Sequence, residues 1–226
     1  MSKQFWAVVA GIVIVLVGIF MLTGNKSDSG QSSSNSGATT NHVEGKGSTG
    51  VKLVEYGDFQ CPYCQTYHAT VKQIVAEYDE QITFQFVNFP LTSIHQNAFA
   101  ASRAAEAAGK QNKYWEMHDA LYENNDPNGA SGWVASTSPT TYFNQFATQI
   151  GLNVAQFKKD YASSAVNDSI NADMSAGTKL GIEGTPTFYL DGKKVTIANT
   201  AADFKKVLDA AIKKKAGSTT PAPAAE

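Results

Sequence analysis

Cysteine is close to absent from this chain of 226 residues: it has two, Cys61 and Cys64, both in the stretch GDFQCPYCQTYH. That scarcity excludes a framework of several disulfides and a four-cysteine zinc site. It also excludes a lipoprotein anchor, because no cysteine follows the apolar run near the amino terminus. An excess of positive charge is lacking as well. The net charge is −2 with a pI near 6.1, and the lysines are spread along the chain. There is no electrostatic footprint for nucleic acid, and no such partner is expected. No internal repeat is present.

Long apolar runs are equally scarce, with one exception. From Phe5 to Leu22 the sequence FWAVVAGIVIVLVGIFML carries no charge over 18 residues. At 1.5 Å per residue this is near the lower limit for crossing a hydrocarbon core of about 30 Å. A cleaved signal peptide is the competing reading, but its apolar region is usually shorter and ends in a small-x-small site, which Thr23-Gly24-Asn25-Lys26 does not supply. The expectation is an uncleaved single-pass anchor over residues 1–23. Lys3 and the terminal amine before the span, against Lys26 and Asp28 after it, lean to an inside amino terminus, with the rest of the chain outside the cytoplasm.

Residues 24–41 are almost wholly Ser, Gly, Thr, Asn and charge, which cannot bury enough apolar surface to order themselves, so they read as a flexible linker. Residues 216–226, ending in TTPAPAAE, read as a disordered tail. The domain between them, 42–215, alternates in pattern. VKLVEY (51–56) is a strand. Val71, Ile74, Val75 and Tyr78 recur at helical spacing, and QITFQFVNF (81–89) alternates as a strand with Ile82, Phe84, Phe86 and Asn88 on one face. That βαβ order predicts two parallel strands. Helical candidates follow at 94–108, 113–122, 139–150, 154–161 and 165–180. TPTFYLDGKKVTI (185–197) reads as a hairpin about Asp191-Gly192, and a last helix is expected over 201–215. The fold class is α/β: a small mixed sheet with a helical insertion at about 92–181.

The two cysteines admit three readings. A staple across two intervening residues closes a very small loop and removes little unfolded-state entropy. A zinc site has His68 nearby and His95 and His118 further on, but no second ligand pair at the usual spacing. In place of metal ligation, His95 and His118 are expected to cap helices or satisfy local polar groups, and His68 to lie on a solvated helix face. The third reading is a redox pair. Pro62 suits the first turn of a helix, which places Cys61 at the helix N-terminus, where unpaired N–H groups favour a thiolate. Cys64, almost one turn on, can then resolve a mixed disulfide at Cys61. Neither metal nor organic cofactor is needed. Glu55, six positions before Cys61, is either the acceptor of the Cys64 proton, with a pKa raised by burial, or an exposed strand-end carboxylate. NNDPNG (124–129) imitates a calcium loop but has Ala135 where the twelfth ligand is required, so a turn is expected. Tyr114, Trp115 and Tyr122, at helical spacing, are expected in the core, some of them lining a groove.

Taken in order, VKLVEYGDFQCPYCQTYH, then FVNFPLTSIHQNAFAASRAAEAAGKQNKYWEMHDALYEN, then GIEGTPTFYLDGKKV resemble the DsbA-like branch of the thioredoxin superfamily over roughly 42–215. The resemblance implies a thioredoxin-like fold with an inserted helical domain. It implies a cis Thr185-Pro186 bond across from Cys61, where the backbone meets an extended substrate, and a role for Pro62 and Tyr63 in setting the reduction potential. Tyr63 stands where the strongest oxidants of the family carry histidine and cannot supply its positive charge. The CPYC sequence is shared with glutaredoxins, whose potentials are roughly −200 to −230 mV. The expected function is disulfide formation in secreted proteins, with unfolded or partly folded chains as substrates and a membrane redox partner to re-oxidise the pair. The alternatives are a reductase or isomerase kept reduced by such a partner, and a tethered binding module in which the pair is incidental.

Overall fold

The computed structural model describes residues 39–126 and 128–218. The expected anchor, most of the linker and the end of the tail lie outside the described residues. Among the described residues no helix is long and apolar enough to cross a membrane.

Five strands form one mixed sheet in the order β1-β3-β2-β4-β5. The central strand β2 (Val51–Gly57) runs parallel to β3 (Ile82–Asn88), with Glu55 opposite Phe86, and the connecting helix α1 (Pro62–Glu77) completes the βαβ unit. On its other side β2 pairs antiparallel with β4 (Thr187–Leu190), which turns into β5 (Lys193–Val195). Asp191 and Gly192 both have positive φ, 48° and 78°, as a tight primed turn requires. β1 (His42–Glu44) pairs antiparallel with β3 at the opposite edge. The sequence pattern gave no sign of it, since three residues between polar and glycine-rich flanks show no alternation.

The insertion comprises α2 (Ala98–Gly109), α3 (Tyr114–Glu123), the short α4 (Gly132–Ala135), α5 (Thr140–Gln149), α6 (Val154–Tyr161) and α7 (Ser164–Lys179). The chain then returns to β4, and α8 (Ala201–Ser218) packs on α1 and β2. The helix expected from residue 94 begins four residues later. Asp58 accepts from the Leu91 N–H and from His95, and Asn97 donates to the carbonyls of Trp133, Val134 and Ser136. These side-chain bonds hold 91–97 in turns.

Apolar faces of both the sheet unit and the insertion meet in one core, with Trp133, Phe143, Phe157, Phe59, Phe86 and Phe204 buried in it. Tyr114 and Tyr122 are buried there too, and Trp115 is partly buried against them. The domain also takes in part of the segment read as linker: Thr40 is buried, and its N–H and hydroxyl donate to Asp173 at 2.8 and 2.6 Å. At the end of β2 the backbone lies so close to the Phe86 side chain of β3 that a Cβ on Gly57 would be 2.3 Å from its ring, with the Tyr122 hydroxyl of the insertion at 3.2 Å. Gly57→Ala is therefore expected to cost about 1–3 kcal/mol and lower the melting temperature, as measured by circular dichroism.

Candidate active site

The central strand delivers the chain to a tight turn, Asp58-Phe59-Gln60, after which α1 begins. Cys61 is the N-cap, with extended backbone (φ −67°, ψ 123°), and Pro62 opens the helix. The Cys61 N–H donates to the Asp58 carbonyl at 3.0 Å. Phe59, packed against Phe86 and Tyr122, fixes the turn from beneath. Cys61 is 4% exposed and Cys64 1%, while Tyr63 between them is 70% exposed. Both cysteines are free thiols, so this is the reduced form.

Across from the helix start lies the loop before β4. The Thr185-Pro186 bond is cis. The Cys61 Sγ lies 3.4 Å from the Thr185 carbonyl oxygen, to which the thiol donates. Among the described residues the Thr185 hydroxyl is buried without a partner. A thiolate at Cys61 supplies the acceptor it lacks. Beside this loop a small cleft of about 140 Å³ is lined by Tyr67, Pro186, Phe188 and Ile197.

The electrostatics separate the two thiols. Cys61 is lowered to about 6, chiefly by a hydrogen bond from Cys64; burial opposes this, and Thr185 with the backbone N–H groups of Cys64 and Tyr63 adds to it. Burial pushes Cys64 well above the ordinary thiol range, and its bond to Cys61 and the charge of Glu55 push the same way. Cys61 thus ionises more readily than an ordinary thiol, and Cys64 less readily.

Glu55 is 4% exposed, so it is not an exposed strand-end carboxylate. Burial raises it to about 8, and the charge of Cys61 adds. It lines a cavity of about 590 Å³ together with His68, Phe84, Trp115, His118 and Asp119. His68, expected on a solvated face, is buried there and bonds Asp119 at 3.0 Å. The signal was present: residue 68 falls on the same helical face as Cys64, Val71 and Val75. His118 bonds the same Asp119 oxygen at 3.2 Å, and burial pushes its pKa down to about 4.

Among the described residues His68, His118 and Asp119 are the group able to hold a metal, their ligand atoms lying within 4.8 Å of one another. In the structure His68 Nε2 and His118 Nδ1 both bond Asp119 Oδ1, while among the described residues His118 Nε2 is buried without a partner. Burial alone would raise Asp119, but bonds from both imidazoles and from Lys72, at 2.8 Å, hold it well below the usual carboxylate range. His95 satisfies a local polar group, as expected, and that group is Asp58. Within the segment that imitates a calcium loop, the Gly129 N–H donates to the Asp126 carbonyl at 2.8 Å.

A thiol of lowered pKa at a helix N-terminus, a second, buried thiol three residues on and a cis-proline loop beside a central β-sheet fit the class of dithiol proteins built on the thioredoxin fold. The thioredoxin family model matches residues 37–210. A probable disulfide bond formation protein D of Bacillus cereus is 31% identical over 182 residues, 78% of this chain and 81% of that protein. The chain belongs to the thioredoxin family, with the probable disulfide bond formation protein D among its relatives.

A sodium/proton antiporter NhaA of Mycolicibacterium gilvum is 30% identical over 171 residues, 75% of this chain but 26% of the antiporter. The chain thus spans about a quarter of the length of that relative. Among solved structures, a thioredoxin-like oxidoreductase from Silicibacter pomeroyi superposes with a TM-score of 0.61 at 29% identity, covering 76% of this chain and 92% of its own. BdbD from Bacillus subtilis shares the fold, with a TM-score of 0.65 at 22% identity over 76% of this chain and 93% of its own.

Proposed function

We propose that this chain is a membrane-anchored thiol–disulfide oxidoreductase that works outside the cytoplasm and passes the Cys61–Cys64 disulfide to secreted proteins. The observation that carries this reading is the division of labour within the pair: Cys61 ionises readily at the helix N-terminus, while Cys64 is buried and keeps its proton. An ionised Cys61 stabilises the dithiol form, and a stable dithiol form makes the disulfide a good oxidant.

In donation, a substrate thiolate attacks the Cys61 sulfur of the disulfide. The Cys61–Cys64 bond breaks, and Cys64 leaves and takes up a proton. A second substrate thiolate then attacks the substrate sulfur of the mixed disulfide and expels the Cys61 thiolate, leaving a substrate disulfide and an enzyme dithiol. Glu55, close enough to affect Cys64 and neutral up to about pH 8, is the group that exchanges that proton. Thr185 and Pro186 offer an extended substrate a backbone edge beside Cys61, and Pro62 and Tyr63 tune the potential. The apolar run at 5–22 supports an anchor, which would hold the domain beside a membrane partner that re-oxidises the pair.

The deciding experiment is the equilibrium potential of the pair against glutathione, combined with refolding of a reduced disulfide protein by the disulfide form. A potential near −120 to −150 mV with recovery of the refolding protein is expected. A value of about −230 mV or below overturns the direction and favours a reductase or isomerase, the reading that the uncharged Tyr63 supports.

A further inference from the structure

Tyr63 brings no charge to Cys61, but an imidazole from elsewhere in the chain does. His95 lies in the turn between β3 and α2. Its Nδ1 is 2.7 Å from Oδ2 of Asp58, which is fully buried in the turn that carries Cys61. The same carboxylate accepts from the N–H groups of Gln60 at 2.7 Å and Leu91 at 2.9 Å. The active-site turn and the His95 turn are therefore tied to one side chain, and the ring has little freedom to leave. His95 shares a surface cleft with Gln60, Pro62, Ile94 and Asp126.

The titratable groups around the ring are Asp58 and Cys61, with Asp126 across the cleft. The bond to Asp58 raises the His95 pKa, burial opposes it, and the charges of Asp58 and Cys61 add to the rise. His95 and the Cys61 N–H are bonded to the same residue, the ring to the Asp58 carboxylate at 2.7 Å and the N–H to its carbonyl at 3.0 Å, which places the imidazole beside the turn that carries the thiol.

We propose that the Asp58–His95 pair sets the charge environment of the dithiol centre, with His95, protonated and held by Asp58, favouring the Cys61 thiolate in place of the charge that Tyr63 lacks. His95 is a positioning and tuning residue, not a catalytic one, and its contribution is smaller than those of Cys64 and Thr185. The proposal rests on the reading of Cys61 as the exchanging thiol. Loss of the imidazolium leaves the Asp58 side chain without its positive partner beside the cysteines, a single change of one charge that disfavours the thiolate.

The coupling is reciprocal: whatever the His95 proton does for the Cys61 thiolate, the thiolate does for the His95 proton. Oxidation removes the thiolate, so the His95 pKa must fall when the disulfide forms. The test is a proton NMR titration of the His95 ring in the reduced and disulfide forms of the protein. A pKa higher in the reduced form by about half a unit is expected, with His95 in Cys61→Ser titrating as it does in the disulfide form. In parallel, His95→Gln, which keeps a donor for Asp58 but carries no charge, is expected to raise the Cys61 pKa from near 6 by about half a unit. That lowers the thiolate fraction at pH 5 about threefold, read by absorbance at 240 nm.

An unchanged Cys61 titration in a folded His95→Gln protein, or a His95 pKa identical in both redox states, overturns the proposal. If His95→Gln fails to fold, the wild-type titration decides alone. A purely structural His95 would lower the melting temperature and leave both titrations in place. Failure of the functional reading is separate, since it would show as no exchange with glutathione while the His95 titration still responds to the thiolate.

Discussion

Cys64→Ser is expected to accumulate as a mixed disulfide through Cys61 when mixed with oxidised glutathione, while Cys61→Ser loses exchange by about a thousandfold or more, roughly 4 kcal/mol of barrier. The asymmetry follows from the two environments. With a pKa near 6, Cys61 is ionised in roughly nine of ten molecules at pH 7. A serine there neither ionises nor forms a disulfide, and Cys64 cannot take over, because it is buried and protonated. With Cys64 replaced, Cys61 still attacks, but nothing within the protein resolves the adduct. Mass spectrometry of the products distinguishes the two variants. Equal adduct formation by both would show that the thiols are interchangeable.

Glu55→Gln is expected to change two properties together. The folded protein holds the Glu55 proton with a pKa of about 8, against an ordinary value of 4.5. Because the pKa is raised on folding, this group's contribution to stability is greatest below about pH 4.5 and falls as pH rises towards 8. At about 1.4 kcal/mol per unit, the loss across that window is at most roughly 5 kcal/mol. Glutamine has nothing to ionise. The variant should be more stable than wild type at pH 8 by about 2–3 kcal/mol and nearly equal to it at pH 5, as read from urea denaturation of the reduced proteins. Its exchange should be slower by about a hundredfold, and the pH dependence near 8 should disappear. Wild-type exchange kinetics in the variant would remove Glu55 from the proton path and leave it a costly buried acid.

Much of this was legible in the chain. The βαβ unit, the Asp191-Gly192 hairpin and the inserted helices follow from periodicity and turn chemistry, because each depends on residues close in sequence. The burial of Glu55 could be read from VKLVEY, where Val51, Leu53 and Glu55 share a face of an alternating strand. The burial of His68 could be read from its place with Cys64, Val71 and Val75 on one side of α1. Partners were not legible. Asp119 reaches His68 from α3, 51 positions away, and His95 reaches Asp58 across 37. No local pattern encodes such pairs, because the tertiary fold creates them. For the same reason β1 and the Thr40–Asp173 bonds were missed: a three-residue strand is stabilised by its neighbour β3, and a polar threonine by a carboxylate from α7.

The contact between the Cys61 thiol and the Thr185 carbonyl bears on product release. A thiol has a proton to give that carbonyl, whereas a thiolate or a disulfide has none. The oxygen then needs another donor, and the backbone N–H of a visiting chain is suited to supply it. An open acceptor therefore goes with the reactive forms of the sulfur, oxidised or ionised. On the proposed reading, once a disulfide has been handed on and Cys61 regains its proton, the protein's own S–H would compete for the acceptor that held the client. Dwell time would then be coupled to the protonation of a single sulfur, and acidification below about pH 6 is expected to shorten it.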